Sequence, residues 1–205
     1  MRLQLPGPRP LRATLDGRDG VAVVVACPPH PRLGGDRTDR RLRAVSNGLP
    51  DTVDCLRFDY GPWDGGRGEQ TDVRTALDWA TESYDHVGLF GYSFGGGVAL
   101  AALAPESGSA EAESKTTSAP DAVSVLAPAA SVASERIAVA LETVSCPVQV
   151  VYGERDTTAD WEPVVKRASE FAHTTVAVSA DHFFVGQQAR VADIICTFLV
   201  ESLDI

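Results

Sequence analysis

Six short, mostly apolar runs, several of them rich in β-branched residues, recur along this chain with helix-forming segments between them. That alternation limits the architecture more than any other feature. The runs are residues 21–27, 55–59, 87–91, 122–126, 148–152 and 175–178. Several are apolar at consecutive positions, as in Val21-Ala22-Val23-Val24-Val25-Ala26-Cys27, the pattern of strands covered on both faces of a parallel sheet. Helices are predicted over 39–47, 70–83, 94–104, 131–141, 160–171 and 187–203. Such alternation specifies a doubly wound α/β domain. Residues 2–5 and 11–15 supply one or two leading strands, with Asp16-Gly17 and Asp19-Gly20 as turn signals.

A chain of 205 residues fits one domain, here 1–205, that buries about 70% of its unfolded surface. No apolar run exceeds the length of 21–27, which is far short of the ~20 residues of a membrane span. Prolines and arginines occupy the N-terminus where a secretory signal needs an apolar core, so a cytoplasmic location and no membrane partner are expected. The net charge of −10 argues against nucleic acid as a partner. Lys115 and Lys166 are the two lysines; the other 16 cationic residues are arginine. This carboxylate-rich, lysine-poor composition resembles that of halophilic proteins, though a GC-rich genome also favours Arg and Ala. The polar stretch 105–120 reads as a flexible surface loop, without the apolar residues a lid presents to substrate. Cys27, Cys55, Cys146 and Cys196 show no metal-binding spacing and no CxxC, and none is assigned a catalytic role.

The chemistry-bearing pattern is Gly91-Tyr92-Ser93-Phe94-Gly95, between an apolar strand and the small, apolar run Gly96-Gly97-Val98-Ala99-Leu100. Glycines two positions either side of a serine allow a strand-to-helix turn too sharp for side chains at those places, with the hydroxyl exposed. A serine hydroxyl needs a base to become a nucleophile, and the base needs an orienting carboxylate. Asp156, in Gly153-Glu154-Arg155-Asp156, follows the 148–152 strand; Glu154 and Asp160 compete with it, and Asp160 fits a helix cap. His182, in Ala180-Asp181-His182-Phe183-Phe184, follows the last strand and precedes the last helix. His86 and His173 precede strands and so fall at the wrong edge.

Two N–H donors are needed for a developing oxyanion. Phe94 is the first candidate. In the loop after residue 27, Pro28, Pro29 and Pro31 have no N–H to give. His30, Arg32 and Leu33 remain, and Arg32 is favoured. Trp63 and Trp161 are candidate substrate contacts. Gly95-Gly96-Gly97 lacks the sequel of a nucleotide-binding loop.

These pieces resemble the α/β-hydrolase superfamily, more narrowly its small lidless branch related to dienelactone hydrolases. The likeness rests on Pro28-Pro29-His30-Pro31-Arg32-Leu33-Gly34-Gly35, Leu56-Arg57-Phe58-Asp59-Tyr60-Gly61, the Gly91–Gly96 segment, Gly153-Glu154-Arg155-Asp156 and Ala180-Asp181-His182-Phe183-Phe184, in order over nearly the whole chain. It implies an α/β-hydrolase fold with a mostly parallel sheet of about seven to eight strands, helices on both faces and no cap domain. It also implies a Ser93–Asp156–His182 triad and no metal or organic cofactor. The leading reading of these residues is a serine hydrolase that acts on a small-molecule ester or thioester. Two departures stand out. Pro28 occupies the place of the loop's first histidine, and serine replaces the cysteine nucleophile of dienelactone hydrolases. A peptidase or amidase, and a non-catalytic binding protein on the same scaffold, are the rival readings.

Overall fold

The computed structural model describes residues 1–17, 19–104, 118–133 and 135–205. Strands and helices alternate in chain order as β1 (Arg2–Leu5), β2 (Leu11–Asp16), β3 (Ala22–Cys27), α1 (Arg40–Gly48), β4 (Val53–Phe58), α2 (Arg67–Ser83), β5 (His86–Tyr92) and α3 (Phe94–Leu103). There follow β6 (Ala122–Leu126), β7 (Ser131–Val132), β8 (Glu135–Arg136), α4 (Ile137–Ala140), β9 (Val148–Gly153), α5 (Glu162–Glu170), β10 (Thr174–Val178) and α6 (Gln188–Ser202). Eight strands form one sheet in the order β1-β2-β4-β3-β5-β6-β9-β10. The ladders from β4 to β10 are parallel, and β2 is antiparallel to both its neighbours. The sheet is thus mostly parallel, with the strand number the sequence led us to expect.

Burial on both faces explains the apolar runs. In β3, Val23, Val25 and Cys27 enter one core cluster with residues of α2, α3, α4 and α5. Ala22, Val24 and Ala26 enter the other, with α1 and α6. All six β3 residues are inaccessible to solvent, so the strand has no solvated face to carry polar alternation. The chain leaves β3 towards β4 and returns across it to β5. This reversal opens a crevice at the carboxyl ends of β3 and β5, where open α/β sheets build their sites.

One expected element is absent. Residues 131–141, read as a helix, instead form the β7–β8 hairpin and the single turn α4. Val132 is the reason: it is 3% exposed and seats its side chain against Gly97 of α3. That tertiary contact outweighs the local helix propensity of an alanine-rich segment. Ala133 follows at φ +52°, incompatible with a helix continuing through it. From 105 to 117 the expected surface loop lies outside the described residues. Among the described residues there is no cap over the sheet's carboxyl edge, and no helix is long and apolar enough to cross a membrane.

Leu89 sits in the central strand with no exposed surface. Leu89→Ala is expected to lower unfolding free energy by about 2–5 kcal/mol, measured by urea denaturation; a loss under about 1 kcal/mol would contradict this account of the core.

Candidate active site

The turn from β5 into α3 is built by close contact between backbones. A Cβ on Gly95 would lie 2.4 Å from the carbonyl oxygens of both Cys27 and Pro28. One on Gly91 would lie 2.4 Å from the carbonyl oxygen of Gly95. Glycine at both places therefore lets α3 press its first turn onto the end of β3. Ser93, between them, is held at φ +55°, ψ −120°, a strained conformation for a residue with a side chain. Its backbone is fixed at both ends. The N–H donates to the Leu126 carbonyl at 2.8 Å, and the carbonyl accepts from Gly96, Gly97 and Ala129.

Ser93, His182 and Asp156 are joined in series. Ser93 Oγ lies 2.9 Å from His182 Nε2, and His182 Nδ1 lies 2.7 Å from Asp156 Oδ2. A carboxylate at Nδ1 accepts, so the neutral ring carries its proton there and leaves Nε2 to accept from the serine hydroxyl. Asp156 Oδ1 accepts from the N–H groups of Thr158 at 2.8 Å and Ala159 at 3.0 Å. Both carboxylate oxygens are thus engaged in a residue only 7% exposed. Glu154 and Asp160, the competing acids, have no such contact with His182.

The loops bearing the acid and the base are tied to each other. Arg155 donates its N–H to the Ala180 carbonyl at 3.0 Å, and a Cβ on Gly153 would lie 2.7 Å from that same oxygen. This close passage is the physical content of the Gly-x-x-Asp spacing. Tyr92, which precedes the serine, adds a support that no local sequence pattern signals. Its hydroxyl donates to the His182 carbonyl at 3.1 Å, and the Arg41 guanidinium lies 4.3 Å from its ring centroid.

Phe94 opens α3, where a backbone N–H has no intrahelical acceptor. In the loop after β3 the donors are distributed differently from expectation. The Arg32 N–H is spent on His30 Nδ1 at 3.2 Å, and Leu33 and Gly35 both donate to the His30 carbonyl. Arg32 and Leu33 are therefore committed within their own turn. Among the described residues, no acceptor engages the His30 N–H. His30 also lines the cleft together with Ser93 and Phe94, whereas Arg32 does not.

That cleft has a volume of about 350 Å³. Trp63 lines it, 4.5 Å from the His30 ring and 5.6 Å from the Phe94 ring between centroids. Trp161 does not. It stacks on Tyr152 at 4.4 Å and donates its indole N–H to the Asp156 carbonyl at 3.2 Å. Its closeness to the acid in sequence serves to brace the acid's loop. No group of three or more His, Cys, Asp or Glu residues is placed to hold a metal ion among the described residues.

No protein-family model and no curated protein matches the chain by sequence. Its likeness to solved structures is extensive. An α/β serine hydrolase homologue from Coxiella burnetii superposes with a TM-score of 0.78 at 21% identity, over 97% of each chain. A serine hydrolase without a lid from Xanthomonas campestris gives 0.74 at 22% identity, over 100% of this chain and 93% of that one. A dienelactone hydrolase from Anabaena variabilis gives 0.72 at 18% identity, over 99% and 97%.

The elbow contact supplies a direct test. Gly95→Ala is expected to lower unfolding free energy by at least about 3 kcal/mol, because rigid carbonyls on both sides must move. Calorimetry showing a change within about 0.5 kcal/mol would mean that β3 and α3 do not meet as described.

Proposed function

We propose that this chain, which has the α/β-hydrolase fold, is a serine hydrolase that cleaves a small or medium ester or thioester. The observation that carries the reading is the unbroken series Asp156–His182–Ser93, ending on a strained serine at the floor of an open cleft. The serine hydroxyl is unreactive alone at neutral pH and needs the adjoining imidazole.

In the proposed reaction, Ser93 Oγ attacks the substrate carbonyl carbon while its proton passes to His182 Nε2. Asp156 keeps the ring in the tautomer that can accept that proton, then stabilises the imidazolium. The carbonyl π electrons move onto oxygen, which receives hydrogen bonds from the N–H groups of Phe94 and His30. Collapse of the tetrahedral species expels the alcohol or thiol, protonated by His182, and leaves an acyl group on Ser93. A water, losing a proton to the same His182, attacks the acyl carbon. Collapse of this second tetrahedral species breaks the bond from the acyl carbon to Ser93 Oγ, which takes the proton back from His182 as the carboxylic acid leaves.

Ser93→Ala is expected to remove p-nitrophenyl butyrate hydrolysis while leaving the circular dichroism spectrum unchanged. Assays at low and high salt also test the halophilic composition. Turnover undiminished in that variant refutes the proposal.

The second oxyanion donor is tested separately. His30 has φ −56°, which proline's ring accommodates, so His30→Pro chiefly removes the N–H. Relative to His30→Ala, which shares the loss of the imidazole, His30→Pro is expected to lower kcat about 10²- to 10³-fold. Equal kcat values for the two variants would rule His30 out as the donor.

A further inference from the structure

Among the described residues, the walls of the cleft above Ser93 carry no Asp, Glu, Lys or Arg. They include His30, Leu33, Trp63, Phe94, Val132 and Thr158. Desolvation, then the nearby Arg32 charge, lowers the His30 pKa, with Glu69 opposing weakly; the ring therefore stays neutral at physiological pH. A carboxylate or ammonium on a ligand would give up its hydration there without a counter-charge in the cleft wall to pair with. The net charge of −10 adds long-range repulsion against anions.

Three of the walls are aromatic and touch one another. His30 lies 4.5 Å from Trp63 and 4.7 Å from Phe94 between centroids. Trp63 nonetheless keeps 38% of its surface exposed, so an aromatic surface remains open on a cleft that already contains the nucleophile.

The loop carrying Trp63 is held by buried charge. Glu69, in the first turn of α2, accepts the N–H groups of Asp64 at 2.9 Å and Gly66 at 2.7 Å. Asp72, three residues further along, accepts the Gly61 N–H at 2.9 Å. Arg9 approaches Asp72 at 3.0 Å and donates to the Pro62 carbonyl. Both carboxylate residues are fully buried. Pro62, Trp63 and Asp64 are thus anchored on either side by hydrogen bonds to ionisable groups, which are stronger than neutral ones. The backbone that bears the indole is held before any ligand arrives, with the ring against His30 and Phe94, and a preformed contact loses less entropy on binding.

We propose, resting on the hydrolase reading above, that the substrate is an uncharged ester with a planar aromatic group in its acyl or alcohol part, and that this group stacks on the Trp63 platform. Aromatic stacking contributes beyond area burial, so a flat ring gains over a saturated ring of the same size.

The test compares ester pairs that differ only in the ring: ethyl phenylacetate with ethyl cyclohexylacetate, and benzyl acetate with cyclohexylmethyl acetate. The aromatic member of at least one pair is expected to show kcat/KM about threefold to tenfold higher. Trp63→Phe is expected to keep most of that preference and Trp63→Ala to lose it. If Trp63→Ala does not fold, competitive inhibition of the unsubstituted protein by benzamide and by cyclohexanecarboxamide decides the same point, with the aromatic amide binding more tightly. Equal values within both pairs, a preference unchanged in Trp63→Ala, or equal inhibition by the two amides overturns the proposal. Diethyl p-nitrophenyl phosphate separates the two levels. Stoichiometric phosphorylation of Ser93 without an aromatic preference refutes only this inference, whereas folded protein left unphosphorylated refutes the hydrolase reading and this inference with it.

Discussion

The site depends on one backbone contact, the approach of Gly95 to the carbonyls of Cys27 and Pro28. It places the first turn of α3 against the end of β3, and three consequences follow. Ser93 is driven into its strained conformation with the hydroxyl facing the crevice. Phe94, whose N–H has no acceptor within α3, lines the same cleft. The loop after β3 arrives beside both, so His30 reaches the cleft that Ser93 floors. Strain of this kind persists only where the surroundings over-determine it, and the bonds to Leu126, Gly96, Gly97 and Ala129 do so.

Around that contact the molecule uses two kinds of support. The sheet and its helices are held by apolar burial on both faces, which needs no directional bonds. The loops at the carboxyl edge are held by polar contacts. Asp156 is gripped by Thr158 and Ala159 N–H groups, the His182 backbone by Tyr92, and the Trp63 loop by Glu69, Asp72 and Arg9. Loops cannot bury enough carbon to hold a shape by packing alone, so directional bonds fix the positions that chemistry requires. Arg155 then joins the acid loop to the base loop across the sheet edge through its N–H to the Ala180 carbonyl.

Much of this was legible in the sequence because strong local patterns encode it. Consecutive apolar residues in β3 report burial on both faces, and the glycines around Ser93 report a steric requirement. The segment 131–141 misled because its fold is decided by Val132 seating against Gly97, a contact between residues far apart in the chain. Trp161 misled in another way: nearness to Asp156 in sequence placed it beside the acid but could not say which side of the loop it occupies. Eliminating the prolines leaves three residues of the loop as candidates for the proposed second oxyanion donor. Choosing among them required knowing that the His30 ring accepts the Arg32 N–H, a local hydrogen bond without any sequence signature. Nothing in the local sequence marks Glu69 and Asp72, and only the fold brings Arg9 and the Trp63 loop onto them.

The central claim is that Ser93 becomes acylated during turnover. Acid-quenching the protein during steady-state hydrolysis of p-nitrophenyl acetate, followed by intact-mass measurement and peptide mapping, tests it directly. The expected result is one acetyl group per chain, located on Ser93 and absent from Ser93→Ala. Hydrolysis that proceeds with the acetyl group on another residue, and with Ser93 unmodified throughout, would contradict the account.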